Sequence, residues 1–193
     1  MYYNNYYSSC SSSPSSPNCS HYDNKCKDGK RGRRGRRGIQ GIQGIPGING
    51  IPGIINVSHF YSLMPPNNAA TIAIGAPINF NNDGPSNNSD ISRISATTFN
   101  LSSIGLYEIM FQVSINEAAQ LVIVINGTEL DYTVVGRATG TNQITGISII
   151  STTIPNSVLS INNPIGNTTA ITITPQAGGN YAVAANLIIK KYV

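Results

Sequence analysis

The chain has 193 residues, of which 10% are charged and 7% aromatic, with three cysteines, two histidines and no tryptophan. So few histidines leave little material for general acid–base catalysis, and no run approaches the ~20 continuous apolar residues that span a bilayer. The net charge of +4 is unevenly held: residues 1–53 carry eight Lys and Arg against Asp23 and Asp28, for +6, and the remainder sums to −2.

Residues 1–28 are a low-complexity segment of Tyr, Asn and Ser, expected to stay disordered until a partner orders it. The start, MYYNNYYSSC, has neither a basic n-region nor an apolar h-region, so no standard secretory signal is expected. All three cysteines lie here: Cys10, Cys19 and Cys26. An odd count cannot be satisfied within one chain. The leading reading is therefore covalent anchoring, with disulfides between copies or to a basal-layer or filament protein once the surroundings are oxidising. Inert reduced thiols are a second reading. A zinc site with His21 beside Cys19 and Cys26 lacks the paired Cys-x2-4-Cys spacing such sites use, so no metal is expected. Tyr2, Tyr3, Tyr6 and Tyr7 read as adhesive anchor residues.

From residue 29 to 53 every third residue is glycine: Gly29, Gly32, Gly35, Gly38, Gly41, Gly44, Gly47, Gly50 and Gly53. Three polyproline-II-like chains wound into a collagen triple helix meet at an axis with no room for a Cβ, and this period is what that axis requires. A flexible glycine-rich linker has no reason to keep it. The period therefore predicts three copies. The triplets place Lys30, Arg31, Arg33, Arg34, Arg36 and Arg37 first, and isoleucine then fills each X position. In a trimer the basic part holds eighteen cations over roughly 25 to 30 Å, at about 3 Å of rise per residue. Such a belt repels itself unless an anionic layer or polymer neutralises it. The favoured reading is solvated stalk arginines reaching neighbouring carbonyls, with docking to an acidic layer as the alternative. Nucleic acid is not favoured, because no aromatic residue is interleaved for base stacking. Pro46 and Pro52 are the only prolines of the repeat, so the stalk needs an adjacent element to register its chains.

From residue 55 the pattern changes to short β-rich runs separated by Asn, Gly and Pro. Strands are expected at 55–62, in a short pair around 73 and 78–80, and at 91–100, 105–115, 120–125, 131–135, 143–151, 158–162, 170–174 and 181–190. In the clearest run Tyr107, Ile109, Phe111, Val113 and Ile115 alternate with Leu106, Glu108, Met110, Gln112 and Ser114, so the odd positions form a core face. Residues 120–125 are almost wholly aliphatic, as for a strand buried on both sides, and Asn126-Gly127 closes it as a hairpin turn. In the last run Val183, Ala185, Leu187 and Ile189 share one side. This pattern predicts an all-β fold, a β-sandwich of jelly-roll type.

The succession APINFNNDGP, FNLSSIGLYEIMFQVSI, LVIVINGTEL, VVGRATGTNQITGISII, VLSINN and a closing LIIKKYV, after collagen triplets, resembles the C-terminal domain of collagen-like spore-surface glycoproteins of the BclA type. That family is similar to the trimeric jelly-roll heads of complement and tumour-necrosis-factor-like proteins. The resemblance implies a homotrimeric head over residues 55–193, on a stalk at 29–54 and an anchoring tail at 1–28. It also implies a place on a spore, in the exosporium or on an appendage, or else on the virion of a large DNA virus. The tail contains no evident exosporium-leader motif, and the triplets contain no threonine. Packing of three heads through one sheet makes Leu106 and Met110, apolar on the otherwise polar side of their strand, the candidate trimer contact; residence under a loop is the alternative. Residues 81–90 and 136–143 are candidate loops for a glycan or protein ligand. His59 is the sole histidine outside the tail, so no catalytic residue, enzyme activity or cofactor is expected. Asp83 and Asp90 lie in an oxygen-rich loop that lacks a spaced acidic ligand set for calcium. The Asn-x-Ser/Thr sequons at Asn18, Asn56, Asn87, Asn100, Asn126 and Asn167 carry little weight in a chain so rich in these residues.

Overall fold

A computed structural model of the chain describes residues 30–45, 53–67, 71–87 and 90–192. Two compact units separate, Met1–Gly47 and Ile48–Val193. In the first, residues 30–45 run without helix or strand and all are exposed. Ile39, Ile42 and Ile45 keep essentially all of their surface. A Cβ built on Gly32, Gly35, Gly38, Gly41 or Gly44 would meet nothing within 4 Å. Nothing within one copy therefore demands glycine at these five positions. Gly29, Gly47 and Gly50 lie outside the described residues, as do Cys10, Cys19, Cys26 and the tail tyrosines.

The second unit is built from strands: β1 (Ile54–Leu63), β2 (Thr71–Ile72), β3 (Asn82–Ser86), β4 (Ile91–Arg93), β5 (Phe99–Leu101), β6 (Gly105–Ile115), β7 (Ala119–Ile125), β8 (Thr128–Glu129), β9 (Val135–Arg137), β10 (Asn142–Thr152), β11 (Ser157–Asn162), β12 (Ile171–Thr172) and β13 (Val183–Tyr192). One sheet has the order β10-β6-β13-β1-β3. The other has the order β4-β5-β11-β7-β8, with β9 also paired to β7, and β12-β2 forms a small separate pair. Neighbours pair antiparallel throughout, so side chains alternate between a face that meets the other sheet and a face that does not.

The core lies between the sheets. Tyr107, Ile109, Phe111, Val113 and Ile115 of β6 are all buried, as their alternation predicts. They pack in one cluster with Phe60, Leu187 and Ile189 of their own sheet and with Phe99, Leu121, Ile123, Leu159 and Ile161 of the other. Phe99 is the aromatic centre, 4.4 Å from Phe60 and 6.1 Å from Phe80 between ring centroids. The guanidinium of Arg93 covers this group 5.0 Å from the Phe60 ring centre, and its charge is matched by Asp83 at 2.7 Å. The Asn126-Gly127 hairpin forms as expected, with φ of 52° and 79°.

Five expectations are corrected. The loop expected at 81–90 begins as strand β3, because the open edge of β1 offers its residues partners despite their weak strand propensity. The single run expected at 91–100 is a hairpin: Ser95 Oγ accepts from the Thr97 and Thr98 N–H groups, each at 3.1 Å, and turns the chain back. The strand expected at 131–135 is a 3-10 turn, Asp131–Thr133, followed by β9. Thr133 Oγ1 donates to Leu130 O at 2.7 Å and accepts from Ile123 N–H at 3.0 Å, which satisfies buried backbone groups that a straight ladder would have used. Val183 is exposed rather than inward, because a bulge opposite Ser62 and Leu63 shifts the register of β13 and places Ala184 inside. Ile78–Phe80 is likewise not a strand, although Ile78 and Phe80 are fully buried; their N–H groups donate to Ile161 O and Ala96 O at 2.8 and 2.7 Å.

A candidate self-association face

The face of the five-stranded sheet turned away from the core is set row by row by strand register. Ile147 of β10 stands opposite Met110 of β6, Met110 opposite Ile188 of β13, and Ile188 opposite His59 of β1. The next row runs Ile149, Glu108, Lys190 and Val57, and beyond it Leu106 pairs with Ser151. Exposure is high for three of the aliphatics: 62% for Ile147, 57% for Ile149 and 47% for Leu106. Met110 and Ile188 are half-buried between them. Isolated exposed apolar side chains are ordinary on protein surfaces, but five on adjacent strands make a contiguous patch of the kind that marks an interaction surface.

Polar groups lie at the border of the patch and within it. Toward β1 the rows end in His59, whose Nε2 lies 3.2 Å from Asn186 Oδ1, and a shallow cavity of about 220 Å³ opens between His59, Met110, Gln112, Thr145, Asn186 and Ile188. β3 closes over the ring of His59 at Gly84, where a Cβ would come within 2.7 Å of Nδ1. Below the central row Lys190 Nζ meets Glu108 Oε1 at 2.7 Å, and the Tyr192 hydroxyl donates to Glu108 Oε2. These hydrogen bonds, from Lys190 first and Tyr192 second, hold the Glu108 carboxyl below its usual range. A charge so paired can lie beside an apolar contact without being left unsatisfied.

A second polar cluster closes one end of the sandwich. Asp90 sits below the usual aspartate range, chiefly through its hydrogen bond to Lys191. Both carboxyls are depressed in the folded chain, so each contributes stability that is present above its unfolded value and lost as pH falls through the folded one. The melting temperature is expected to be flat from about pH 7 to 5 and to fall below the ordinary carboxylate values of 3.8 and 4.5. Thermal melts across pH check this: Asp90→Asn with Glu108→Gln should shrink the acid-dependent part, and an unchanged acid slope would contradict it.

Leu106 and Met110 thus lie on one exposed face, together with Ile147, Ile149 and Ile188, which sequence reasoning passed over. The signal was available. Residues 143–151 hold isoleucine at both parities, Ile144 and Ile150 inward and Ile147 and Ile149 outward. The candidate ligand loops lie elsewhere. Arg137 Nη2 donates to Thr139 O at 2.6 Å and Gly140 O at 2.8 Å, folding 136–143 on itself beside a cavity of about 420 Å³ that Gln120 and Asn167 also line. Asp83, which strand β3 carries where the other loop was expected, is engaged by Arg93. Among the described residues no group of three or more His, Cys, Asp and Glu is placed to hold a metal, and no helix is long and apolar enough to cross a membrane.

No family model matches the chain, and no curated protein matches it. Solved structures do. Eiger TNF from S. frugiperda is similar with a TM-score of 0.52 at 11% identity, over 74% of this chain and 94% of that one. The globular domain of zebrafish complement 1qA gives 0.48 at 12% identity, over 72% and 96%. Murine APRIL at pH 5.0 gives 0.48 at 12% identity, over 70% and 98%. At such identities the likeness is one of fold. The sheet orders and the overlap with Eiger TNF give the second unit the jelly-roll fold of that structure.

Proposed function

We propose that the chain builds a non-enzymatic, homotrimeric surface fibre. Residues 55–193 form the head, three heads pack through the face that carries Leu106, Met110, Ile147, Ile149 and Ile188, and residues 29–54 form a collagen-type stalk registered by the head. The observation that carries this reading is the apolar patch on an otherwise finished sheet, in a chain whose glycines recur at a spacing that one copy does not need. One requirement, three copies side by side, accounts for both features. The tail at 1–28, with Cys10, Cys19 and Cys26, anchors the fibre to a basal layer or filament. The setting is a spore surface, exosporium or appendage tip, by resemblance of the head and triplets to spore-surface glycoproteins; a virion of a large DNA virus is the alternative.

Circular dichroism tests the coupling of stalk to head. The full chain is expected to show a collagen-type signal that melts cooperatively, and a peptide of residues 29–54 is expected to show none. An equal signal from both would remove the head from the assembly of the stalk.

A second reading, an adhesive or receptor-binding head, draws on Arg137. Arg137 is half-buried, lines a cavity of about 420 Å³ and is in no ion pair among the described residues. A glycan array with the full chain separates the two, because a head that only coats gives no saturable ligand.

A further inference from the structure

We propose that Lys191 and Asn56 become joined by an intramolecular amide bond, with Asp90 as the catalytic carboxyl. Asn56 lies on the first long strand of the sheet and Lys191 on the last, and the two stand directly opposite each other in register. Side chains at such a pair share one side of the sheet and lie within reach of each other. Lys191 is also paired with Tyr107 of β6, whose ring is fully buried, so the group sits at the end of the core. One oxygen gathers both reactants: Asp90 Oδ2 accepts from Asn56 Nδ2 at 2.8 Å and from Lys191 Nζ at 2.8 Å.

The carboxyl is itself fixed. Asp90 Oδ1 accepts from Ser102 Oγ at 3.2 Å and Ser103 Oγ at 3.1 Å, and Asp90 O accepts from Ser102 N–H at 2.9 Å. Tyr107 donates its hydroxyl to Ser103 O at 2.6 Å, which ties the serine pair to the core. The Lys191 stem passes over Gly105, where a Cβ would approach Cε to 3.3 Å. Little solvent reaches the pair, with 12% of the Lys191 side chain and 23% of the Asp90 side chain exposed. A structural ion pair needs a lysine and an aspartate; it does not need a carboxamide held against the same oxygen.

The chemistry balances without a co-reactant. Lys191 passes a proton to Asp90, and the freed amine adds to Cγ of Asn56. Asp90 returns the proton to Nδ2, the Cγ–Nδ2 bond breaks, and ammonia leaves as the Nζ–Cγ amide forms. In sum, one ammonium and one carboxamide give one secondary amide and one ammonium ion. Lys191 and Asp90 are ion-paired until the bond forms, so the share of acid-dependent stability that Asp90 draws from Lys191 belongs to the unbonded chain. One turnover per molecule suffices, and well-oriented contact supplies an effective concentration of about 10⁵ M or more. Residues 30–53 join the head at β1, so the bond would pass tension from β1 to β13 covalently. That use rests on the surface-fibre reading, whereas the bond itself does not.

Mass spectrometry of the full chain, reduced and denatured after prolonged incubation in the folded state, tests the proposal. The expected result is a mass one ammonia below that of the sequence, and a digest containing one branched peptide that joins the Asn56 and Lys191 segments. Lys191→Arg and Asp90→Asn should each restore the sequence mass. A parent chain at full sequence mass overturns the proposal, as does ammonia loss without the branched peptide, which Asn126-Gly127 could produce by cyclising, or a variant that loses ammonia like the parent. Sedimentation reads the trimer separately, so a missing bond leaves the fibre reading intact.

Discussion

Phe111→Ala is expected to lower the stability of the head by about 3–5 kcal/mol, the usual cost of emptying a fully buried phenylalanine site. Phe111 is 1% exposed, and its ring lies across the sheet over Gly146, its partner in the β6–β10 register. A Cβ at Gly146 would stand 2.3 Å from Cζ and 2.5 Å from Cε1 of that ring, so alanine there must push the ring out of its place. Gly146→Ala is accordingly expected to cost about 1–3 kcal/mol, although alanine is the better strand residue. Because the two effects share one contact, Phe111→Leu should relieve much of the penalty of Gly146→Ala. Urea denaturation of the four proteins at one fixed concentration measures this, with an expected coupling of order 1 kcal/mol. Additive losses would show that the ring does not set the need for glycine.

Ile147→Glu and Met110→Glu are expected to leave the fold of each copy in place and to abolish self-association. Both side chains point away from the core, so the substitutions remove little packing within one copy. In an assembled face each would bury an unpaired carboxylate, at a cost of several kcal/mol per copy. Every 1.4 kcal/mol is tenfold in an equilibrium constant, and three copies share the contact, so association should weaken more than about a thousand-fold. Ile94 is a matched control: it is 56% exposed, but it sits in the β4–β5 turn of the other sheet. Sedimentation velocity should find dispersed single copies for the two face variants and parental behaviour for Ile94→Glu. Face variants that sediment like the parent would move the contact to another surface.

How much of this was legible in the sequence depends on whether a feature is local. The alternation in 105–115 names its own buried face and stands as expected; the nearly continuous aliphatics of 120–125 name a strand buried on both sides, which holds for 121–124, whereas Gln120 is exposed and Ile125 half-buried. β3 was hidden because Asn-Asp-Gly-Pro-Ser has no strand propensity and takes its shape from the edge of β1. The 3-10 turn at 131–133 was hidden because the hydroxyl of Thr133 finds partners ten residues back as well as three. The self-association face was half visible. Leu106 and Met110 break the polar rhythm of their own strand, whereas Ile147 and Ile149 sit in a run that is apolar at both parities, where period alone does not tell inside from outside. The Asp90 cluster could not be read at all, since its members come from positions 56, 90, 102, 103 and 191 and meet only through the sheet.

Sedimentation equilibrium of the full chain in reductant tests the central claim most directly, because it removes disulfides and counts copies held by the head and stalk alone. The account predicts a single species of three times the 20.5 kDa chain, unchanged across micromolar concentrations. A species of one chain mass across that range would contradict it.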